Sequence, residues 1–277
     1  MQNIRQVTER DAGAIANLIS TAPFVHRHLD WTPLLDWINF SPFLLFENDN
    51  IASGLLVCPQ DPVDITWIKC FACGQRNNPS GVFKSLLDKV VDESLINTSN
   101  LYALGLQDWF NKILQQNNFI EFQKVIVLSH DGKTNHLPPP IAAQVRPMEM
   151  SDVEEVAMLD REAFESLWVI SPQGLKLAFL QSAHASVVEL DGKIIGYELS
   201  TANGSSAHLA RVAVQPEHQN ENIASNLVHN MISYFHHNNI LSITVNTQQE
   251  NHSSQALYRR MGFHLTGERY PIYQLTL

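Results

Sequence analysis

Cysteine is scarce in this chain: there are three, Cys58, Cys70 and Cys73, among 277 residues. An odd number does not build a disulfide framework. Cys70 and Cys73 form a C-x-x-C, but it lies inside the strand-like run ITWIKCFAC, where residues three apart point to opposite faces. No second pair completes a zinc set, and the nearest histidines, His26 and His28, lie far back in the chain. No metal site is expected, and a redox role is disfavoured. Positive charge is also short. Lys and Arg number 18 against 28 Asp and Glu, a formal net charge of −10. The stretch from Ile141 onward holds eight basic and fourteen acidic residues, so both halves are acidic. Neither offers the basic stripe that a nucleic acid partner requires. An acidic surface suits a cationic small molecule or peptide, although solubility explains it as simply. Long apolar runs are missing as well: nothing approaches the roughly 18 to 20 residues of a membrane span. The opening MQNIRQVTERD has no apolar signal-peptide core, so a reducing, cytoplasmic setting is the expectation.

Glycine is absent from one turn where it would be the obvious choice. In VQPEHQNENIASNLV, residues 214–228, an apolar strand ends near Pro216, a polar turn follows, and an apolar-periodic helix begins near Ile223. The first amides of a helix have no partner inside it and point outward beside the positive end of its dipole. A turn that lets the backbone approach closely makes those amides an anion site. Glycine does this best because it tolerates positive φ, and asparagine is the next residue to enter that region readily. Asn220 and Asn222 are therefore the least damaging replacements. An ordinary polar helix start is the plainer alternative.

What is present is the same pattern twice. IRQVTERDAGAIANL begins at Ile4 and VRPMEMSDVEEVAML at Val145. At an offset of 141, Arg5 matches Arg146, Asp11 matches Asp152, Ala16 matches Ala157 and Leu18 matches Leu159. Each is a short strand, an aspartate at a helix start, and an apolar-periodic helix. Later elements repeat in order: HASVVELDG and KIIGYELSTANG read as strands joined at Asp191-Gly192, a strong hairpin signal. The proline-rich SHDGKTNHLPPPIAA separates the copies. The expectation is a mixed α+β fold of two tandem units: residues 1–130, a linker at 131–143, and residues 144–277.

A second motif follows. ENHSSQALYRRMGF places Asn251 after a strand, then a helix carrying Leu257 and Tyr258, and ends at Gly262, a natural C-cap. Together with LARVAVQPEHQNENIA some thirty residues earlier, this resembles the GNAT acetyltransferase superfamily over nearly all of residues 145–277. The resemblance implies a twisted mixed sheet flanked by helices, with acetyl-CoA as acetyl donor in a cleft where two central parallel strands, 207–215 and 242–247, splay apart. It implies that amides around Val212, Ala213 and Val214 bind the pantetheine arm. Gln219, Asn220, Glu221, Asn222, Ile223, Ala224 and Ser225 would hold the pyrophosphate, and Asn251 and Ser254 would line the cofactor's path. Tyr258 stands where many members place the acid that protonates the departing thiolate. For the base there are two candidates: His208 on the cofactor-side strand, expected to share a face with Ala210, Val212 and Val214, and Glu198 near the end of the preceding strand. The bland alternatives are a helix tyrosine and a half-exposed strand histidine.

The first half departs further from the pattern. Leu114 falls where Tyr258 stands and Asn118 where Gly262 stands, while GQRNNPSGVFK lacks the pyrophosphate signature and Pro79 withholds an amide. It reads as a degenerate copy, an arrangement similar to the mycothiol synthase group. The resemblance thus implies an N-acetyltransferase acting on a primary amine, a small molecule or peptide, by direct attack in a ternary complex. The alternative is a catalytically silent acyl-CoA or small-ligand binding protein of the same fold. Acceptor contacts are implied from residues 165–168 and 268–273.

Overall fold

In the computed structural model, which describes residues 2–62, 64–132 and 136–277, the chain forms two compact units. One comprises Met1–Gln123 with Tyr270–Leu277, the other Lys124–Arg269. Among the described residues no helix is long and apolar enough to cross a membrane.

In the first unit the elements are β1 (Gln2–Gln6), α1 (Ala12–Thr21), β2 (Phe24–Arg27), β3 (Phe43–Asn48), β4 (Ile51–Val57), β5 (Thr66–Trp67), β6 (Cys70–Cys73), α2 (Pro79–Asp92), β7 (Asn100–Leu104) and α3 (Asp108–Gln116). Strands β1, β3, β4, β6 and β2 form an antiparallel sheet in that order. Beside it β5 runs parallel to β7, and β7 pairs with the end of the chain, Ile272 to Thr276. Phe71, Phe83 and Phe110 fill the core between sheet and helices α2 and α3. Cys58, Cys70 and Cys73 are buried in this unit as free thiols, and burial pushes them up to about 12, 12 and 11. Thiols held that far above neutrality supply almost no thiolate.

In the second unit β8 (Ile120–His130) enters from the first half of the chain. It is followed by β9 (Gln144–Pro147), α4 (Val153–Ala163), α5 (Pro172–Gln181), β10 (His184–Leu190), β11 (Lys193–Asn203), β12 (Ser206–Val214), α6 (Ile223–His237), β13 (Ser242–Gln248), α7 (His252–Arg260) and β14 (His264–Thr276). The sheet runs β9, β10, β11, β12, β13, β8, and then the first residues of β14. The β10–β11 hairpin turns at Asp191 and Gly192, with φ of 51° and 77°, as its Asp-Gly pair requires. Apolar residues of α6 (Val228, Met231, Ile232, Phe235) pack on Leu209, Ile243 and Val245.

The division of the chain differs from a break at the linker. Most of β8 belongs with the second unit and Tyr270–Leu277 with the first, so the two copies exchange their last strands. Of the linker, residues 133–135 lie outside the described set; Ile141 and Ala143 pack on Val188, Val214 and Leu227, and Pro139 accepts a hydrogen bond from Asn226 Nδ2 at 3.0 Å.

The duplication reaches the level of side chains. Arg5 grips Asp11 with two hydrogen bonds (2.8 and 2.7 Å) and Glu47 with its Nε (3.1 Å). Arg146 does the same to Asp152 (2.7 and 3.0 Å) and Glu189 (2.7 Å). In each copy the bidentate fork ties the first strand to the first helix start. The guanidinium holds each aspartate below the ordinary carboxylate range.

The central strands diverge between the copies. In the second unit β12 pairs parallel with β13 only from Ser206 to Leu209, against Ser242 to Val245. On its other edge β13 pairs with β8 from Ile243 to Gln248, while among the described residues the β13-facing edge of residues 210–214 is left without a ladder. The counterpart of Arg211 to Val214 is Cys70 to Cys73, again at an offset of 141 and again paired to the preceding strand, β4 as against β11. There the equivalent edge is filled by β2: Phe24, Val25, His26 and Arg27 face Cys73, Ala72, Phe71 and Cys70. The sequence pattern does not announce β2, a four-residue strand whose partner lies more than forty residues later.

Candidate functional site

The splay of β12 from β13 opens a cavity of about 320 Å³ inside the second unit. Val212, Ala213 and Val214 line it from the unpaired strand edge. Gln219, Asn220, Asn222, Ile223, Ala224 and Ser225 line it from the turn and first residues of α6, and Asn251 and Ser254 from the start of α7. These eleven of the sequence-derived residues converge on one space. Sequence reasoning missed Ala163, Phe164, His218, Ser253 and Arg260, which line it too, and gave Leu257 no part in it. Leu257 and Arg260 stand in the ALYRRMGF helix, so their spacing from Ser253 was an available signal.

The turn has the backbone conformation that its asparagines suggest. Asn220 and Asn222 both take left-handed backbone, with φ of 66° and 63°. In that conformation Asn222 is the N-cap of α6 but makes no side-chain capping bond. Its carbonyl instead accepts from Asn226, from the amide at 3.0 Å and from Nδ2 at 2.9 Å. The first-turn amides of α6 therefore lack both a helical partner and a side-chain cap, which is the donor set an anion needs. Glu221 does not line the cavity; its carboxylate turns to His218 Nδ1 at 3.2 Å. In the first unit the matching helix is closed to such use: α2 begins with Pro79, and Asn78 accepts from the amide of Ser80 at 3.1 Å.

Asn251 caps α7, accepting from the amide of Ser254 at 3.0 Å, and Gly262 ends that segment at φ 88°. Tyr258 is 5% exposed and lies in the apolar core with Met261 and Phe263. Burial raises its phenol above the ordinary value, so it stays protonated. Its hydroxyl has no hydrogen-bond partner among the described residues, and it does not line the cavity.

Neither base candidate lines the cavity. Arg211 pairs with Leu199 and Leu209 with Ser200, so Ala210 is the extra residue of a bulge. A bulge breaks strand alternation, and the common face expected for His208, Ala210, Val212 and Val214 does not form. His208 instead holds Thr244 Oγ1 through Nδ1 at 2.8 Å, and burial lowers its pKa. Glu198 is fully buried. It holds His184 Nδ1 at 2.7 Å and accepts from the hydroxyls of Ser200 and Ser186. Burial raises its carboxyl above the ordinary range, against those bonds.

A second buried network borders the cavity. Arg211 donates to both oxygens of Asp160 (2.6 and 2.8 Å) and to the carbonyl of Trp168 (2.6 Å). Asp160 also accepts from Tyr197 and from the amide of Ile170. The guanidinium lies 3.8 Å from the ring centroid of Phe164, itself a cavity residue. This fixes the chain after α4, including the turn at Ser166–Trp168, against the strand that lines the cavity. Among the described residues no cluster of three or more potential metal ligands occurs.

Comparison with known proteins agrees with this architecture. Residues 153–263 match the acetyltransferase (GNAT) family. Over 127 residues the chain is 24% identical to a Bacillus subtilis (strain 168) protein described provisionally as a ribosomal protein bS18-alanine N-acetyltransferase. That match covers 46% of this chain and 84% of the relative. A tandem GNAT protein from the clavulanic acid biosynthesis pathway superposes with a TM-score of 0.67 at 12% identity, covering 100% of this chain and 98% of that one. A GCN5-related N-acetyltransferase from Sphaerobacter thermophilus gives 0.62 at 15% identity, with 99% and 95% covered. At such identities the two structures speak to the fold.

Proposed function

We propose, for a chain whose second unit belongs to the GNAT acetyltransferase family, that this unit moves an acetyl group from acetyl-CoA to a primary amine by direct attack in a ternary complex. The observation that carries the reading is the meeting of an unpaired strand edge and an uncapped helix start in one cavity. The walls fit the donor chemically. Its pantetheine arm carries amides that complement the open edge of residues 212–214, and its pyrophosphate is an anion for the first turn of α6. The donor supplies an activated thioester; the protein positions it, and positioning is a large share of such catalysis. Donors on the strand edge polarise a carbonyl placed there. Tyr258, kept protonated by burial, is the acid for the departing thiolate, reached when the ligand is seated.

Of the two bases, His208 is the better placed. Its lowered pKa keeps the imidazole neutral at pH 7, as a base must be, whereas Glu198 is engaged on three sides. The acceptor is an amine, and the segment 165–168, held by Arg211, forms part of its wall. One observation favours a second reading, an acyl-CoA-binding protein without turnover: none of Tyr258, His208 and Glu198 lines the cavity. Calorimetry with acetyl-CoA, followed by thiol release over a panel of amines, amino acids and peptides, separates the two. Binding without release with any amine supports the silent reading, and no binding at millimolar donor removes both.

A further inference from the structure

The geometry points to Arg260 as the residue that recognises a second anionic group of the ligand, the 3′-phosphate of the coenzyme A nucleotide. This rests on the acyl-donor reading above and extends it to donor specificity.

The chain carries 28 acidic side chains against 18 basic ones, yet the cavity wall contains no aspartate or glutamate among the described residues. Glu221, which stands between the lining residues Asn220 and Asn222, is drawn off to His218. Among the described residues Arg260 is the only lysine or arginine on that wall. Among the described residues it makes no ion pair and no hydrogen bond. Its neighbour Arg259 is occupied, donating from Nη2 to Gln255 Oε1 at 2.9 Å.

The placement matters as much as the charge. Ser253, Leu257 and Arg260 are spaced i, i+4, i+7 and share one face of α7, so a single helical stripe borders the cavity. Arg260 lies about 10 Å along that helix from Ser253 at 1.5 Å per residue. The cavity thus has two separate anion positions, the uncapped amides of α6 and a free guanidinium. A ligand with a single phosphate cluster would use only the first. Coenzyme A carries its pyrophosphate and a distinct ribose phosphate, and a guanidinium fork matches phosphate bidentately.

The test compares binding of acetyl-CoA and acetyl-3′-dephospho-CoA to the full chain by calorimetry, for the native protein and for Arg260→Met and Arg260→Lys. The native chain is expected to bind the phosphorylated form about tenfold more tightly, with the preference shrinking as salt rises. Arg260→Met should bind both forms alike, at the native chain's affinity for the dephospho form. Arg260→Lys should retain part of the preference. Equal binding of both forms by the native chain overturns the assignment while leaving the donor reading intact, as does an undiminished preference in Arg260→Met. Failure of the native chain to bind either form overturns the donor reading and this inference together.

Discussion

Asp160 and Arg211 meet as a bidentate pair whose carboxylate is fully buried and whose guanidinium side chain is 11% exposed. Removing one partner of such a pair strands the other charge out of water, a loss of about 3–5 kcal/mol. Asp160→Asn and Arg211→Met should each lower the urea midpoint accordingly. The double variant should lose less than the sum of the two, because neither charge is then left alone. Strict additivity would show that the two side chains act independently.

The hydroxyl of Tyr258 has no hydrogen-bond partner among the described residues, although the ring is buried in the core. Tyr258→Phe therefore removes no internal bond and should leave stability within about 1 kcal/mol of native. If the hydroxyl protonates the leaving thiolate, the same variant slows turnover by about 10²–10⁴. Steady-state rates with an accepted amine, beside thermal unfolding, check both halves. Unchanged turnover in a folded variant removes Tyr258 from the mechanism.

Much of this architecture was legible because it is local. The Asp191-Gly192 hairpin, the helix starting at Ile223 and the Asn251 cap each depend on neighbours within a few positions. The left-handed turn at Asn220 and Asn222 was legible in the same way, once asparagine is read as a stand-in for glycine. The habit recurs: Asn118 stands where Gly262 does in the other copy and takes φ 65° against 88°. What was not legible is non-local. The Phe24–Arg27 strand, the Asp160–Arg211 pair and the exchange of final strands each join segments tens of residues apart. The bulge at Ala210 needs the register with β11, and His208 lies before it, in the part of β12 still laddered to β13.

Asn220 and Asn222 sit in the left-handed region where most side chains are strained. Replacing either with alanine should cost about 1–2 kcal/mol, whereas glycine should be tolerated or mildly stabilising. Thermal midpoints of the four single variants decide this. For donor binding, glycine at both positions tightens affinity if the side chains crowd the anion and weakens it if their amides donate to it. The absence of a capping bond from Asn222 leaves its amide free for a ligand, so weaker binding is the expected result.

His26 is fully buried, stacked on Phe110 at 4.0 Å and held by Gln107 at 3.1 Å. Burial lowers its pKa to about 4, from 6.5. The unfolded chain therefore takes up this proton before the folded one, and its contribution is complete above about pH 6.5 and lost as the pH falls toward 4. The difference corresponds to about 3 kcal/mol. His208 and His236, also lowered by burial, add to the same limb. Asp11, held low by Arg5, gives way only below it. His26→Phe should flatten the dependence of the urea midpoint on pH between about 6.5 and 4, whatever its stability at neutrality. An unchanged slope would show that His26 is not the group responsible.

The first unit should bind no acyl donor, so that the chain takes one acetyl-CoA rather than two. The reason is physical occupancy. The edge of Cys70–Cys73 that would receive an extended ligand already pairs with β2 over four residues. Pro79 and the Asn78 cap also deny an anion the start of α2. Opening that edge means breaking a buried ladder that includes His26, without any compensating anion site. Calorimetry should return a stoichiometry near one. Ala224→Asp, which sets a carboxylate in the cradle of the second unit, should then abolish binding altogether. Residual binding in that variant, or two sites in the native chain, would mean that β2 yields to a ligand.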